Sequence, residues 1–464
     1  MNQESIPTLM DFAAKSLLSN EPIAIQSLEV LPKHLYIPLF KSAFLGRHKK
    51  VLNAMVRVWP FYCLHIGTLI VQEPPYEILE AIVDGLQFLP VQNTSSGGPK
   101  LRILDLRQSQ NYEITCYYRF QQKLCSHSCV NSQNSILKVE EVQHRCIFNE
   151  RVTSESASSW KPIELLVNLS FNSSWRTKRF LLFIKRKIEQ SFGSLHLCCR
   201  YLQINHISVH NSSVQILDPA CVDRLELNWV HLRKVITLFP QFIRLNSLTL
   251  FNIPFQSCNG SNFETFLTWL GKLDMLQELS FSFFCLTNQL QKVLRVLQHL
   301  VHLNSLRFLF CELSHRDLTV LSQNDHVTHL KRLDLSNNLH WSDYDPFKGL
   351  LERVSGTLQH LEINNCKITD SELSAILPVL SHCSHLRVLS LAYNYLSMTA
   401  LVNLLQSLTA LSNLRRVVYP VPLHCYELGR FGGQLDLNKL AEAKAHLNLV
   451  LQMAQRNDIY WTIL

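Results

Sequence analysis

Glycine is scarce in this chain, 13 among 464 residues. No glycine-rich loop follows any predicted strand, so a phosphate-cradling nucleotide enzyme has little to be built from. Charge is thin as well: 17% of residues, against about 25% in ordinary soluble domains. That deficit fits a chain whose surface is largely committed to internal stacking. No apolar run reaches the roughly 18–20 residues that a membrane span needs. The opening MNQESIPTLMDFAAK lacks a basic start followed by an apolar stretch, so no signal peptide is expected. The 14 cysteines are scattered and form no secreted framework. They read as reduced thiols, which places the protein in the cytoplasm or also the nucleus. No Ser-His-Asp order, metalloprotease motif or pair of carboxylates stands out, so neither catalysis nor a cofactor is expected.

What the chain does have is apolar residues, 47% of the total, enough to exclude global disorder. Its net charge of +8 permits acidic partners without demanding them. The apolar residues repeat. The stretch LQHLEINNCKITDSELSAILPVL from Leu358 has strand spacing at Leu358, Leu361 and Ile363, then helix spacing at Leu373, Ile376, Leu377 and Leu380. Related segments start at Leu245, Leu276, Leu303, Leu330, Leu386 and Leu414, so successive starts differ by 31, 27, 27, 28, 28 and 28 residues. Each approximates L-x-x-L-x-L-x-x-(N/C)-x-L, with Cys311, Asn338, Cys366 and Asn394 at the Asn/Cys position. This is a leucine-rich repeat. The implied fold is an α/β solenoid, a horseshoe of about 28-residue strand–helix units, in which stacking supplies the core that no unit has alone. Helix faces are predicted at Leu318 and Leu321, at Phe347, Leu350, Leu351 and Val354, and at Leu401, Leu404, Leu405 and Leu408. Thr369 with Glu372 forms a capping box. Weaker units are read at LRILDL (101–106), LHLCCRYL (195–202) and VDRLELNWVHL (222–232).

Four regions follow. Residues 1–90 form a helical N-terminal cap, with Leu52, Met55, Val56 and Trp59 on one helix face ended by Pro60. Residues 107–160, rich in Ser, Asn, Gln, His and Cys, are read as a flexible insert. The horseshoe occupies 161–430 and a helical C-terminal cap 431–464. Cys125, His127 and Cys129 suggest zinc, but no second pair follows at the usual spacing, so a polar loop is the reading and no metal is expected. The sequence LVNLL (401–405) has the form of a receptor-docking helix, yet its leucines are those that face the repeat core. The basic helix carrying Arg176, Lys178, Arg179, Lys185, Arg186 and Lys187 is read as a solvated face. Strand residues between the buried leucines point into the concave face, where such folds bind protein. They include Arg307, Arg332, Asp334, Ser336, His360, Glu362, Asn364 and Arg416. Their mixed charge suits a protein segment better than a lipid, a small molecule or nucleic acid.

Three elements carry a family resemblance: Gly46-Arg47-His48; Trp59-Pro60-Phe61 with Cys63-Leu64; and Tyr419-Pro420-Val421-Pro422. With the stretches around them (45–69 and 380–427), the chain resembles the PRAME (preferentially expressed antigen in melanoma) family, nearest in wording to its rodent oogenesin-like branch. The 107–160 insert departs from that pattern. The resemblance implies a substrate-recognition subunit of an elongin-using cullin–RING ubiquitin ligase, with N-terminal helices on the elongin adaptor and the horseshoe on a target protein. An elongin-binding consensus, (S/T)-L-x-x-x-C-x-x-x-aliphatic, matches at Ser16, Leu17 and Ile25, with Glu21 in place of the cysteine. The alternatives are a nuclear transcriptional co-regulator without ligase association, and an inhibitor that clamps an enzyme.

Overall fold

A leucine that repeats at strand spacing and is then answered by a helix face demands parallel strands with helices between them. The computed structural model describes residues 8–67, 76–87, 101–107, 162–171, 175–205, 217–242, 244–254, 260–284, 286, 289–338, 344–427 and 433–463. Most of the 107–160 insert, with Cys125, His127 and Cys129, lies outside them. The chain divides into two compact units: 1–202 with 209–222, and 203–208 with 223–464.

The first unit begins with α1 (Leu9–Leu18), α2 (Glu21–Ser27), α3 (Tyr36–Leu45), α4 (Lys49–Arg57) and α5 (Tyr76–Gln87), and α6 (Trp175–Gln190) follows later. Its strands are β1 (Cys63–His65), β2 (Ile103–Asp105), β3 (Ile163–Phe171) and β4 (Leu195–Asn205), adjacent in chain order. α4 buries Val51, Leu52, Met55 and Val56. Trp59 is also fully buried. Tyr36 and Phe40 meet its ring edge-on at 5.9 and 5.4 Å, and its indole N–H donates to the Cys63 carbonyl at 3.1 Å. A buried tryptophan needs such an acceptor, and this one ties the helices to the first strand. Lys187 of α6 is buried as well, its ammonium 2.8 Å from Glu80 and 2.7 Å from Asp84 of α5. The basic helix therefore does not present all of its charge to water.

The second unit carries β5 (Arg224–Asn228), β6 (Ser247–Phe251), β7 (Glu278–Ser282), β8 (Ser305–Leu309), β9 (Arg332–Asp334), β10 (His360–Glu362), β11 (Val388–Ser390), β12 (Arg416–Tyr419) and β13 (Tyr460–Ile463). Each pairs in parallel with the next. The helices are α7 (Leu232–Leu238), α8 (Ser261–Leu270), α9 (Leu290–Leu297), α10 (His315–Gln323), α11 (Asp345–Val354), α12 (Asp370–His382), α13 (Met398–Leu408) and α14 (Leu437–Met453). Leu248, Leu279, Leu306, Leu333, Leu361, Leu389 and Val417 stand in one register row. All are fully buried, each worth roughly 1.5–3 kcal/mol. The capping box predicted at Thr369 and Glu372 forms, and another joins Ser314 to Asp317. The stretch 431–464 holds a helix and then β13, a strand the leucine pattern does not announce.

The turn after each strand follows from two further rows. Trp229, Asn252, Phe283, Phe310, Asn337, Asn365 and Tyr393 all have φ between 49° and 64°, the left-handed conformation that reverses the chain. The residue after the last six is Ile253, Phe284, Cys311, Asn338, Cys366 and Asn394, all buried. Asn338 donates to the Phe308 and Leu335 carbonyls, both at 2.7 Å, and accepts from the Leu313 amide at 3.2 Å. Asn394 donates to Ile363 and Leu391 at 2.8 Å and accepts from Cys366 and Ile368 at 3.0 and 3.1 Å. Cys311 and Cys366 each donate a thiol to two carbonyls, at 3.3–3.4 Å. From Cys311 onward the row holds small buried donors that satisfy turn carbonyls, whereas Ile253 and Phe284 fill the same position with apolar bulk.

Candidate protein-binding face

Alternation places Arg332, Asp334 and Ser336 on one side of their chain segment, with Leu333 and Leu335 on the other. In-register pairing then builds two columns on the strand face of the second unit. Ser305, Arg332, His360, Val388 and Arg416 form one; Arg307, Asp334, Glu362 and Ser390 form the other. All eight residues expected on this face come from β8, β9, β10 and β12 or the turns directly after them, but they play different parts. Asp334 is 1% exposed, accepts from the Arg307 Nε at 3.4 Å and takes the Ser336 amide at 3.0 Å. Ser336 Oγ accepts from the Asn364 amide at 3.1 Å. Asn364 accepts from Ser390 Oγ at 2.6 Å and the Ala392 amide at 2.8 Å. Asp334, Ser336 and Asn364 thus tie neighbouring repeats together. Arg307, Arg332, His360 and Glu362 are half-buried and Arg416 is exposed.

Burial, reinforced by Arg332 and Arg387, pushes His360 down to about 4, so the imidazole is neutral at physiological pH. Burial and Asp334 raise Glu362, against the pull of Arg307, Arg332 and Arg416. Three guanidinium groups therefore face two carboxylates, both largely withdrawn from water. The surplus is positive, and forked guanidinium donors match carboxylates in a partner.

Sequence reasoning missed an aromatic row beside this face. Trp229, Phe283, Phe310 and Tyr393 are 51%, 44%, 38% and 47% exposed. Phe283 stacks on Phe310 with centroids 4.1 Å apart and meets Phe251 edge-on at 5.4 Å. Asparagine tolerates the left-handed turn better than a bulky ring, and the sequence does place Asn252, Asn337 and Asn365 there. Aromatics held where the backbone disfavours them carry a strain of about 1–3 kcal/mol each. The signal was readable in the alignment of repeats.

In the first unit, Ser16 and Leu17 end α1, whereas Ile25 lies in α2. Pro22 opens that second helix, whose N-cap Asn20 accepts from the Ile23 amide at 3.3 Å. The matched consensus therefore spans a helix break. Ser16 is exposed, Leu17 and Ile25 half-buried. Leu9 and Phe12, 87% and 58% exposed, share the outward face of α1 with Ser16 at i, i+3 and i+7. In the second unit, Leu401, Leu404 and Leu405 are wholly buried, which leaves the LVNLL leucines to the core.

The chain is similar to known proteins over nearly its full length. Residues 6–112 match the PRAME N-terminal domain and 163–464 the PRAME C-terminal domain. Leucine-rich repeat-containing protein 14 of Mus musculus is 31% identical, covering 98% of this chain and 97% of its own. PRAME family member 12 of Homo sapiens is 33% identical, covering 92% and 87%. A crystal structure of the yeast Rad7 and Elc1 complex covers 90% of this chain and 94% of its own at 13% identity. Its TM-score of 0.39 is too low to bear on shape or partner. Matched in both domains and built as a leucine-rich-repeat α/β protein, the chain belongs to the PRAME family.

Proposed function

We propose that this chain is a non-enzymatic receptor that selects proteins for ubiquitylation, its strand face holding the target and its N-terminal helices docking an elongin-type adaptor of a cullin–RING ligase. The observation that carries the target-binding half is the strand-face cluster: Arg307, Arg332 and Arg416 around Asp334 and Glu362, with Arg387 beside a neutral His360. Such a surface favours an extended segment bearing carboxylates, and the exposed aromatic row beside it offers apolar contact. The adaptor half rests on the PRAME resemblance and on the exposed apolar stripe of α1, Leu9 and Phe12 beside Ser16.

The test is co-purification with elongin and cullin from cells, followed by binding of the purified full chain to elongin. Leu17→Arg combined with Phe12→Asp abolishes elongin capture and leaves target binding intact. Arg332→Glu with Arg416→Glu does the reverse. No elongin recovered with the unaltered chain would refute the ligase reading. A second reading, a transcriptional co-regulator without ligase association, is favoured by the helix break between Leu17 and Ile25, which interrupts the matched consensus. Recovery of chromatin proteins without elongin would select it.

A further inference from the structure

Outside the strand face, the first unit brings three metal-ligating side chains together, with a fourth packed beside them. His196 and Cys198 are two apart on β4 and share one side of that strand. Asp218 and Cys221 bracket the short turn Pro219–Cys221. His196 Nε2 lies 3.4 Å from Asp218 Oδ2, and Cys221 Sγ lies 3.8 Å from that same oxygen. The candidate ligand atoms of His196, Asp218 and Cys221 all fall within 4.8 Å of one another. Cys198 packs beside Cys221 in the same buried cluster. Around one tetrahedral zinc, with bonds of about 2.0–2.3 Å, neighbouring ligand atoms stand roughly 3.3–3.8 Å apart.

We propose that His196, Cys198, Asp218 and Cys221 form a binding site for one divalent transition-metal ion of the zinc class. The ligand types are those zinc takes, one imidazole, one carboxylate and two thiols. The Asp218 carboxylate is oriented by the backbone, since its Oδ1 accepts from the Ala220 amide at 2.9 Å, which turns Oδ2 toward His196 and Cys221. Behind the thiols, Cys63, Ile103 and Leu166 pack with Cys198 and Cys221 into one apolar cluster, so water is kept from that side. Asp218, 45% exposed, and His196, 27% exposed, leave a way in from solvent. On binding, the two thiols release their protons to solvent and the ion bonds to both sulfurs. The bonded ion pins β4 to the Pro219–Cys221 turn. It is a structural clamp, since all four positions of a tetrahedral site are filled by protein.

The test uses the full chain purified under reducing conditions, loaded with zinc or cobalt(II) and dialysed. Elemental analysis should find a zinc equivalent that Cys221→Ser and His196→Ala lose. Cobalt should give the intense thiolate charge-transfer band in the unaltered chain, weakened in Cys198→Ser. Asp218→Asn, a conservative change at an exposed position, lowers affinity by about tenfold or more and guards against variants that fail to fold. The Cys125→Ser, Cys129→Ser double variant keeps this metal. The proposal is overturned if the unaltered chain binds no metal. It is equally overturned if Cys221→Ser and Asp218→Asn keep the zinc while the Cys125, Cys129 variant loses it.

Discussion

Replacing Asn394 by alanine tests the turn row directly. The side chain is fully buried and makes four short hydrogen bonds: two donated, to Ile363 and Leu391, and two accepted, from Cys366 and Ile368. At about 1 kcal/mol net per bond, Asn394→Ala costs about 4 kcal/mol, more if the stranded carbonyls and amides stay dry. Asn394→Cys should cost about half as much, because Cys366 and Cys311 show that a thiol at this row still serves two carbonyls while losing the accepting side. Urea unfolding measures both, and hydrogen exchange locates the loss. The Cys366 and Ile368 amides should be the first to lose protection. A cost below about 1 kcal/mol for the alanine variant, or equal costs for alanine and cysteine, would refute the account of the row.

Three further outcomes follow from the same geometry. Phe310→Asn relieves a left-handed aromatic but gives up its stack on Phe283, so stability should change by less than about 1 kcal/mol while target binding weakens; a large destabilisation in thermal melting would show that the ring is there for packing. His360 is held below its ordinary value, so the fold loses stability as pH falls from about 6.5 to about 4, by at most about 3 kcal/mol. His360→Gln should flatten that part of a stability–pH profile, and an unchanged slope counts against burial as the cause. Lys187→Ala unpairs Glu80 and Asp84, which are partly solvated, and should cost about 1–2 kcal/mol with lost exchange protection where α5 meets α6; no loss would mean the pair is ornamental.

Much of the second unit could be read from sequence because its rules are local. Leucine spacing gave the register of β6 through β12, and Cys311, Asn338, Cys366 and Asn394 announced the turns. β13 was not legible: Tyr460–Ile463 has no leucine motif and becomes a strand by pairing with β12. In α12 the buried face takes Val379 rather than Leu377, a shift of packing that periodicity alone does not resolve. The burial of Lys187 depends on acids about a hundred positions earlier, and the gathering of His196 and Cys198 with Asp218 and Cys221 depends on how a turn folds back. Neither leaves a trace in a sequence window. The aromatic row was visible but unread, because ring-bearing turn residues look like ordinary strand ends until their φ angles are known.

The asparagine row also has a direction. Asn394 reaches back to brace the turn before α12, and Asn338 reaches back to the turn before α10; these two turns are held by the repeat that follows. Forward bonds answer these: Ser336 takes the Asn364 amide, Asn364 the Ala392 amide and Asp370 the Ser397 amide. Removing a later repeat frees amides that lead into a helix of its predecessor, and removing an earlier one frees amides in the turns of its follower. Damage at one repeat should therefore spread along the chain in both directions.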